Sequence, residues 1–130
     1  MALAGAEKDI IYDRFGAARL RVLSNNRIVS WGGAHVGFLR GALIYDYNGR
    51  HIGWYEKGIM RDLNGATVGF GLEPTDAPRP YLPYRQYLPY RGYINYAPSY
   101  IPQLNPPSYR PYKQYVWSNT DLLSLFGIQE

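Results

Sequence analysis

The chain contains no cysteine, which excludes disulfide scaffolds, thiol nucleophiles and Cys-ligated zinc. It has only two histidines, His35 and His51, too few for a His-rich metal site. No apolar run approaches the roughly eighteen residues of a membrane helix. The start meets Glu7, Lys8 and Asp9 before any apolar run develops, unlike a signal peptide. The cytoplasm is therefore the expected location, although leaderless export would leave no mark. There is no Gly-x-Ser-x-Gly elbow, phosphate loop or dinucleotide fingerprint. Charge of either sign is sparse: 14 Lys and Arg against 10 Asp and Glu give +4, which is not a nucleic-acid footprint.

What the chain does have is unevenly distributed. All 10 prolines lie between Pro74 and Pro111, and ten of the 14 tyrosines between Tyr81 and Tyr115. Twelve of the 14 glycines lie at or before Gly71. This divides the chain into a repeat β module (1–72), a Pro/Tyr-rich extended segment (73–117) and a short C-terminal helix (118–130).

The first module repeats itself. Tyr45-Asp46-x-Asn48-Gly49-Arg50 with Ile52-Gly53-Trp54 aligns on Asp62-x-Asn64-Gly65 with Val68-Gly69-Phe70, 16 residues later. Another 16 residues back, Gly33, Gly37 and Phe38 match Gly49, Gly53 and Trp54. A weaker copy, Tyr12-Asp13-x-x-Gly16, stands 17 residues before the next. Asn48-Gly49 and Asn64-Gly65 read as two-residue hairpin turns, with Asn and Gly both at positive φ and Asp46 or Asp62 capping through its carboxylate. Arg40-Gly41 and Lys57-Gly58 mark the turns between. Strand alternation predicts Ile52 and Trp54 on one face, and likewise Val68 with Phe70. Gly37, Gly53 and Gly69 imply close backbone approach near a symmetry axis, with a central ligand channel as the minority reading. The prediction is a mainly β fold: four short antiparallel β-hairpin repeats of 16-residue period in a pseudo-fourfold arrangement. An extended Pro/Tyr segment and one short helix follow.

On these motifs the chain resembles the 4-fold beta flower proteins over roughly residues 11–71, the tail lying outside the resemblance. The resemblance implies four hairpins set about a central axis. It brings no activity, cofactor or catalytic residue.

In the tail, Tyr81, Tyr84, Tyr87, Tyr90, Tyr93 and Tyr96 recur at every third residue. Polyproline II has three residues per turn, so the rings should share one edge, roughly 46 Å long at ~3.1 Å per residue, and meet one surface. Leu82, Arg85, Leu88, Arg91 and Ile94 occupy a second edge. Arg79, Arg85, Arg91, Arg110 and Lys113 give the tail +5, with no acid from Ala77 to Thr120. Aromatics interleaved with arginine stack on bases, sugars or other aromatics. So many bulky aromatics are foreign to a flexible linker, and the segment is expected to pack on its own module or on a neighbour. Pro106-Pro107-Ser108-Tyr109 fits the Pro-Pro-x-Tyr pattern of WW-domain ligands, a pattern that arises easily in such a composition.

Ser118–Gly127 reads as a helix capped by Ser118 and stopped by Gly127. Leu122, Leu123, Leu125 and Phe126 make it apolar on most sides, so it must dock on this chain or another. Other chemistry is weak. His35 and His51 occupy equivalent positions but lack a third metal ligand, and the Asp-x-Asn-Gly turns lack the later Glu of a calcium loop. Trp31 and Trp54 are core residues before they are a binding face. The expected function is a non-enzymatic structural and interaction module that self-assembles through its tail and C-terminal helix. The tail residues concerned are the six tyrosines with Arg85 and Arg91. The rival is a module binding polysaccharide or a polyanion through the same Tyr and Arg residues. Expected partners are the chain itself or another protein, with no cofactor, no metal, no membrane span and no nucleic acid.

Overall fold

The computed structural model describes residues 7–128; residues 1–6 of the first expected module, and Gln129 and Glu130 of the last, lie outside it. Eight strands follow in order: β1 (Glu7–Tyr12), β2 (Ala18–Leu23), β3 (Arg27–Ser30), β4 (His35–Arg40), β5 (Leu43–Asp46), β6 (His51–Glu56), β7 (Ile59–Arg61) and β8 (Thr67–Phe70). Each pairs antiparallel with the next, and Tyr12 of β1 meets Phe70 of β8, which closes a barrel. Closure leaves no free sheet edge. One short helix, α1 (Leu122–Leu125), completes the fold.

The turns after β1, β3, β5 and β7 lie at one end of the barrel. In three of them an aspartate sets the geometry. Oδ1 of Asp13, Asp46 and Asp62 accepts the N–H groups two and four residues on, at 2.9 and 3.0 Å in each case. Ser30 takes this place in the remaining turn, accepting from the Ala34 N–H at 3.1 Å. Gly16, Gly33, Gly49 and Gly65 close the loops with φ of +82° to +100°. Asn48 and Asn64 do not share the positive φ, which corrects the two-residue Asn-Gly turn. The carboxylate gathers three residues into a type I turn, and the glycine adds the left-handed step that rejoins the strand. The turn with both residues at positive φ occurs at the opposite end, at Lys57 (46°) and Gly58 (77°).

The expected alternation along the strands is also corrected. Gly37 faces Ile28 while His35 faces Val29, so Val36 is an unpaired bulge residue. Ile52 and Val68 are bulged in the same way on β6 and β8. A bulge shifts the following side chains to the other face. Ile52 and Val68 thus join the barrel interior with Ile11, Leu20, Ile28 and Met60. Phe70 packs outside with Tyr12 and Ile10, and Trp54 turns its ring to His51 at 4.7 Å. Gly37, Gly53 and Gly69 follow the bulges directly. A Cβ on Gly37 would lie 2.5 Å from the Tyr45 carbonyl oxygen, and one on Gly53 2.2 Å from that of Arg61. The close approach is therefore to the neighbouring strand and not to a central axis. Packed side chains fill the barrel, where a ligand channel was the alternative.

The helix is shorter than expected. Asp121, not Ser118, caps it, accepting from the Leu123 N–H. Ser118 instead donates its hydroxyl to Asp62 and accepts from the Thr120 N–H. The stop at Gly127 (φ +76°) is as expected: Ile128 N–H bonds to the Leu123 carbonyl and Gly127 N–H to that of Ser124. Leu122 and Leu123 are buried in this chain's own interior cluster, with Leu125 and Phe126 packed at its margin. Phe126 abuts Gly37 on β4 and Leu122 abuts Gly69 on β8, on opposite walls, so the helix plugs the barrel mouth.

Candidate functional site

Beyond Pro80 the chain forms no regular strand or helix until α1, yet it is fixed to the barrel at four places. The amides of Gln86, Asn95, Asn105 and Gln114 donate to the carbonyls of Gly16, Gly33, Gly49 and Gly65 at 2.8–3.1 Å. Two residues before each amide, the carbonyl of Tyr84, Tyr93, Gln103 or Tyr112 rests on the same glycine. A Cβ there would lie 1.8–2.3 Å from that oxygen. These glycines are required twice, once by positive φ and once by this contact. Since the four turns ring one end of a closed barrel, the segment encircles it as a strap. Neighbouring turns are two strand spacings apart, ~10 Å, while the nine or ten residues between anchors span ~30 Å extended. The strap therefore dips along the wall between anchors. Arg91 pairs with Glu7 and Arg110 with Glu56, both towards the far end.

The strap's three-residue periodicity is real, but the edge that docks is not the tyrosine edge. Leu82 and Ile94 are half-buried against the wall, although Leu88 is 41% exposed. Arg85 donates to the Gly71 and Leu72 carbonyls at 2.7 and 2.9 Å and stacks over Tyr12 and Phe70. Arg91 stacks over Trp31, and Arg110 over Trp54. Arginine suits this layer because its N–H groups satisfy strand-end carbonyls while its plane covers an aromatic face. The six tyrosines, by contrast, are 86–101% exposed. A buried phenol would need a partner for its hydroxyl, and water supplies one at no cost. Of the two surfaces expected for the rings, this chain's own module and a neighbour, the rings do not meet the first. Tyr109 and Tyr112 point outward in the same way, at 94% and 95%, and Tyr100 and Tyr115 at 58% and 74%.

Two residues missed in the sequence rivet the strap from below. Arg61, 2% exposed, donates to the carbonyls of Gly65, Gln114 and Pro78 and pairs with Asp76, so it joins both ends of the strap to β7. Burial pulls its guanidinium below the ordinary value, and Asp76 opposes that shift. Arg21 donates to the Trp31 and Gly92 carbonyls. The one available signal was a cation inside a strand pattern, where a charge needs a partner.

The two histidines bond to the strap. His35 Nε2 donates to the Asn95 carbonyl, and His51 Nδ1 accepts the Ser108 N–H, each at 2.9 Å. Among the described residues no three His, Cys, Asp or Glu side chains could hold an ion. A groove of about 520 Å³ is lined by Lys8, Asp9, Tyr55 and Lys57. The Asp9 oxygens there are occupied by the Tyr55 hydroxyl and by the Ile10 and Leu72 amides. Burial, then the bond and the charge of Asp9, push the Tyr55 phenol well above its usual value. Such a phenol is no base at neutral pH. No described helix is long and apolar enough to cross a membrane.

Residues 9–126 match the family model described as 4-fold beta flower protein. The chain belongs to that family. The match extends well beyond the hairpins to take in the strap and α1, so the Pro/Tyr segment is part of the beta flower match rather than an addition to it. No curated protein and no solved structure matches the chain.

Proposed function

We propose that this beta flower protein is a non-enzymatic structural module that assembles with copies of itself through the tyrosine face of its strap. The carrying observation is that ten strap tyrosines stand 58–101% exposed on a backbone pinned at four points. A ring on a fixed backbone loses little further entropy when it is covered, which is why tyrosine is an economical contact residue. In the same reading the barrel is four hairpin units in pseudo-fourfold arrangement, and the strap repeats in step with them. Tyr84-Arg85-Gln86, Tyr93-Ile94-Asn95, Gln103-Leu104-Asn105 and Tyr112-Lys113-Gln114 stand nine, ten and nine residues apart, one at each turn glycine. The helix has its apolar residues engaged at home, so assembly falls to the strap.

A second reading, stacking on neutral sugar rings, draws on the same exposed faces. The polyanion version is disfavoured because the strap cations, though partly exposed, already have partners on this chain. Arg85, Arg91, Arg110 and Lys113 all bond to this chain, and Arg79 donates to the Asp76 carbonyl. Light scattering at two concentrations and two salt levels tests the proposal. Assembly should grow with concentration, resist salt, and fall when Tyr84, Tyr87, Tyr90 and Tyr93 become Ser. A monomer under every condition rejects it.

A further inference from the structure

The oxidisable side chains of this protein are sorted by position. There is no thiol, and Met60 is fully buried. Trp54 is 3% exposed, while the Trp31 and Trp117 indoles are half-buried with their N–H groups bonded to the Pro89 and Tyr81 carbonyls of the strap. Tyr12 and Tyr45 are each 3% exposed. With Tyr47 and Tyr55 half-buried and their hydroxyls bonded to Arg27 and Asp9, what remains outside is the set of strap phenols, none of whose hydroxyls donates to a group among the described residues, with six of them three residues apart.

From this sorting we infer that the strap tyrosines are the site of covalent cross-linking between copies by one-electron oxidation. This rests on the assembly reading for the proximity of rings from two copies, while the coupling chemistry itself needs only exposure. The oxidant is a peroxide acting through a haem peroxidase. Each phenol gives up one electron and one proton. The two phenoxyl radicals join through ring carbons ortho to oxygen, and the hydrogen on each joined carbon returns to its oxygen. The sum is two phenols and one hydrogen peroxide giving one biphenol and two waters. Neither a thiol nor an exposed thioether among the described residues competes for the oxidant, so the radical settles where the rings are. Fixing the rings outward on a strap whose docking uses backbone, arginine and glycine leaves the fold untouched by the reaction.

The test treats the purified full chain with horseradish peroxidase and hydrogen peroxide. Dityrosine fluorescence and denaturing electrophoresis are followed, and the linked peptides are mapped by mass spectrometry. Species of two or more chains, linked through residues 81–115, are expected. A second protein, with all ten strap tyrosines changed to Phe, keeps its rings and should keep its melting temperature and light-scattering mass while losing the covalent product. Products confined to single chains, or links mapping to Tyr12, Tyr45, Tyr47 or Tyr55, would overturn the inference. Wild-type protein that assembles by light scattering yet yields no covalent species sinks this inference alone. Protein that never assembles but still couples through the strap sinks the assembly proposal alone.

Discussion

The barrel wall and the strap around it are both ordered, by opposite means. In the wall, strands exchange backbone hydrogen bonds with one another and side chains do the filling: Leu20, Ile28 and Ile44 are 0% exposed. In the strap, the backbone bonds to turns it did not form, and the tyrosine side chains point away. Wall positions are accordingly intolerant of lost volume, while strap positions are intolerant of anything that lifts the backbone. Proline helps the strap, because it restricts the unfolded chain and lacks the N–H that an unpaired extended segment would have to satisfy.

The sharpest way to break this contrast is at the plug, where the end of the strap becomes core. Leu122→Ala should cost about 2–4 kcal/mol, since Leu122 is 1% exposed in the interior cluster and abuts Gly69 of β8. Guanidinium denaturation reads this, and a loss below about 1 kcal/mol would show that α1 is not part of the core. At the anchors, Gly49→Val should cost about 2–3 kcal/mol, because a β-branched residue resists φ of +82° and would meet the Gln103 carbonyl. Asn48→Val beside it should cost under about 1 kcal/mol, because Asn48 is exposed without positive φ. Equal midpoints for the two variants would remove the distinction between anchor and turn.

Acid should act on the strap through one histidine. His51 accepts the Ser108 N–H at Nδ1, so it is neutral in the fold, and burial holds its pKa below 6.5. As pH falls the unfolded chain takes up the proton first. This contribution to stability is complete above about 6.5 and is lost as pH drops from there through the lower folded value. Denaturation curves at several pH values, for wild type and His51→Gln, should separate in that window. Parallel curves count against the latch. The smallest expected effect is Tyr87→Ser with Tyr90→Ser, within about 0.5 kcal/mol of wild type, because both rings are at or near full exposure. Trypsin should remain slow at Arg85 in the same double variant, since its guanidinium is held by carbonyls of Gly71 and Leu72. Rapid cutting there would mean that the rings, not the arginines, hold the strap down.

Much of the wall was legible because its signals are local. Asp46 followed three residues later by Gly49 encodes a loop whatever surrounds it, and recurrence at Asp62 and Gly65 announces the repeat. The bulges were not legible: Ile52 and Trp54 look alike as apolar alternates, and only the register against β5 tells that one points in and the other out. The strap was half legible. Its period of three stood in the sequence, but the choice of docking edge depended on what the wall already offered. That wall has its own outer aromatics and unsatisfied strand-end carbonyls, and it calls for arginine rather than phenol.

The sequence alone determined the four glycine turns, the break in character near Glu73, the every-third-residue spacing of the tyrosines and the apolar run that becomes α1. Each follows from torsional preference or hydrophobicity within a few residues. Tertiary structure decided the closure of β8 on β1, the burial of Leu122 in the barrel mouth, the placing of Arg61 under both ends of the strap and the outward face of the rings. Those outcomes depend on contacts between residues tens of positions apart, such as Gly16 with Gln86 and Gly65 with Gln114. No local preference encodes which of two chemically sensible edges meets a wall that exists only after the barrel has closed.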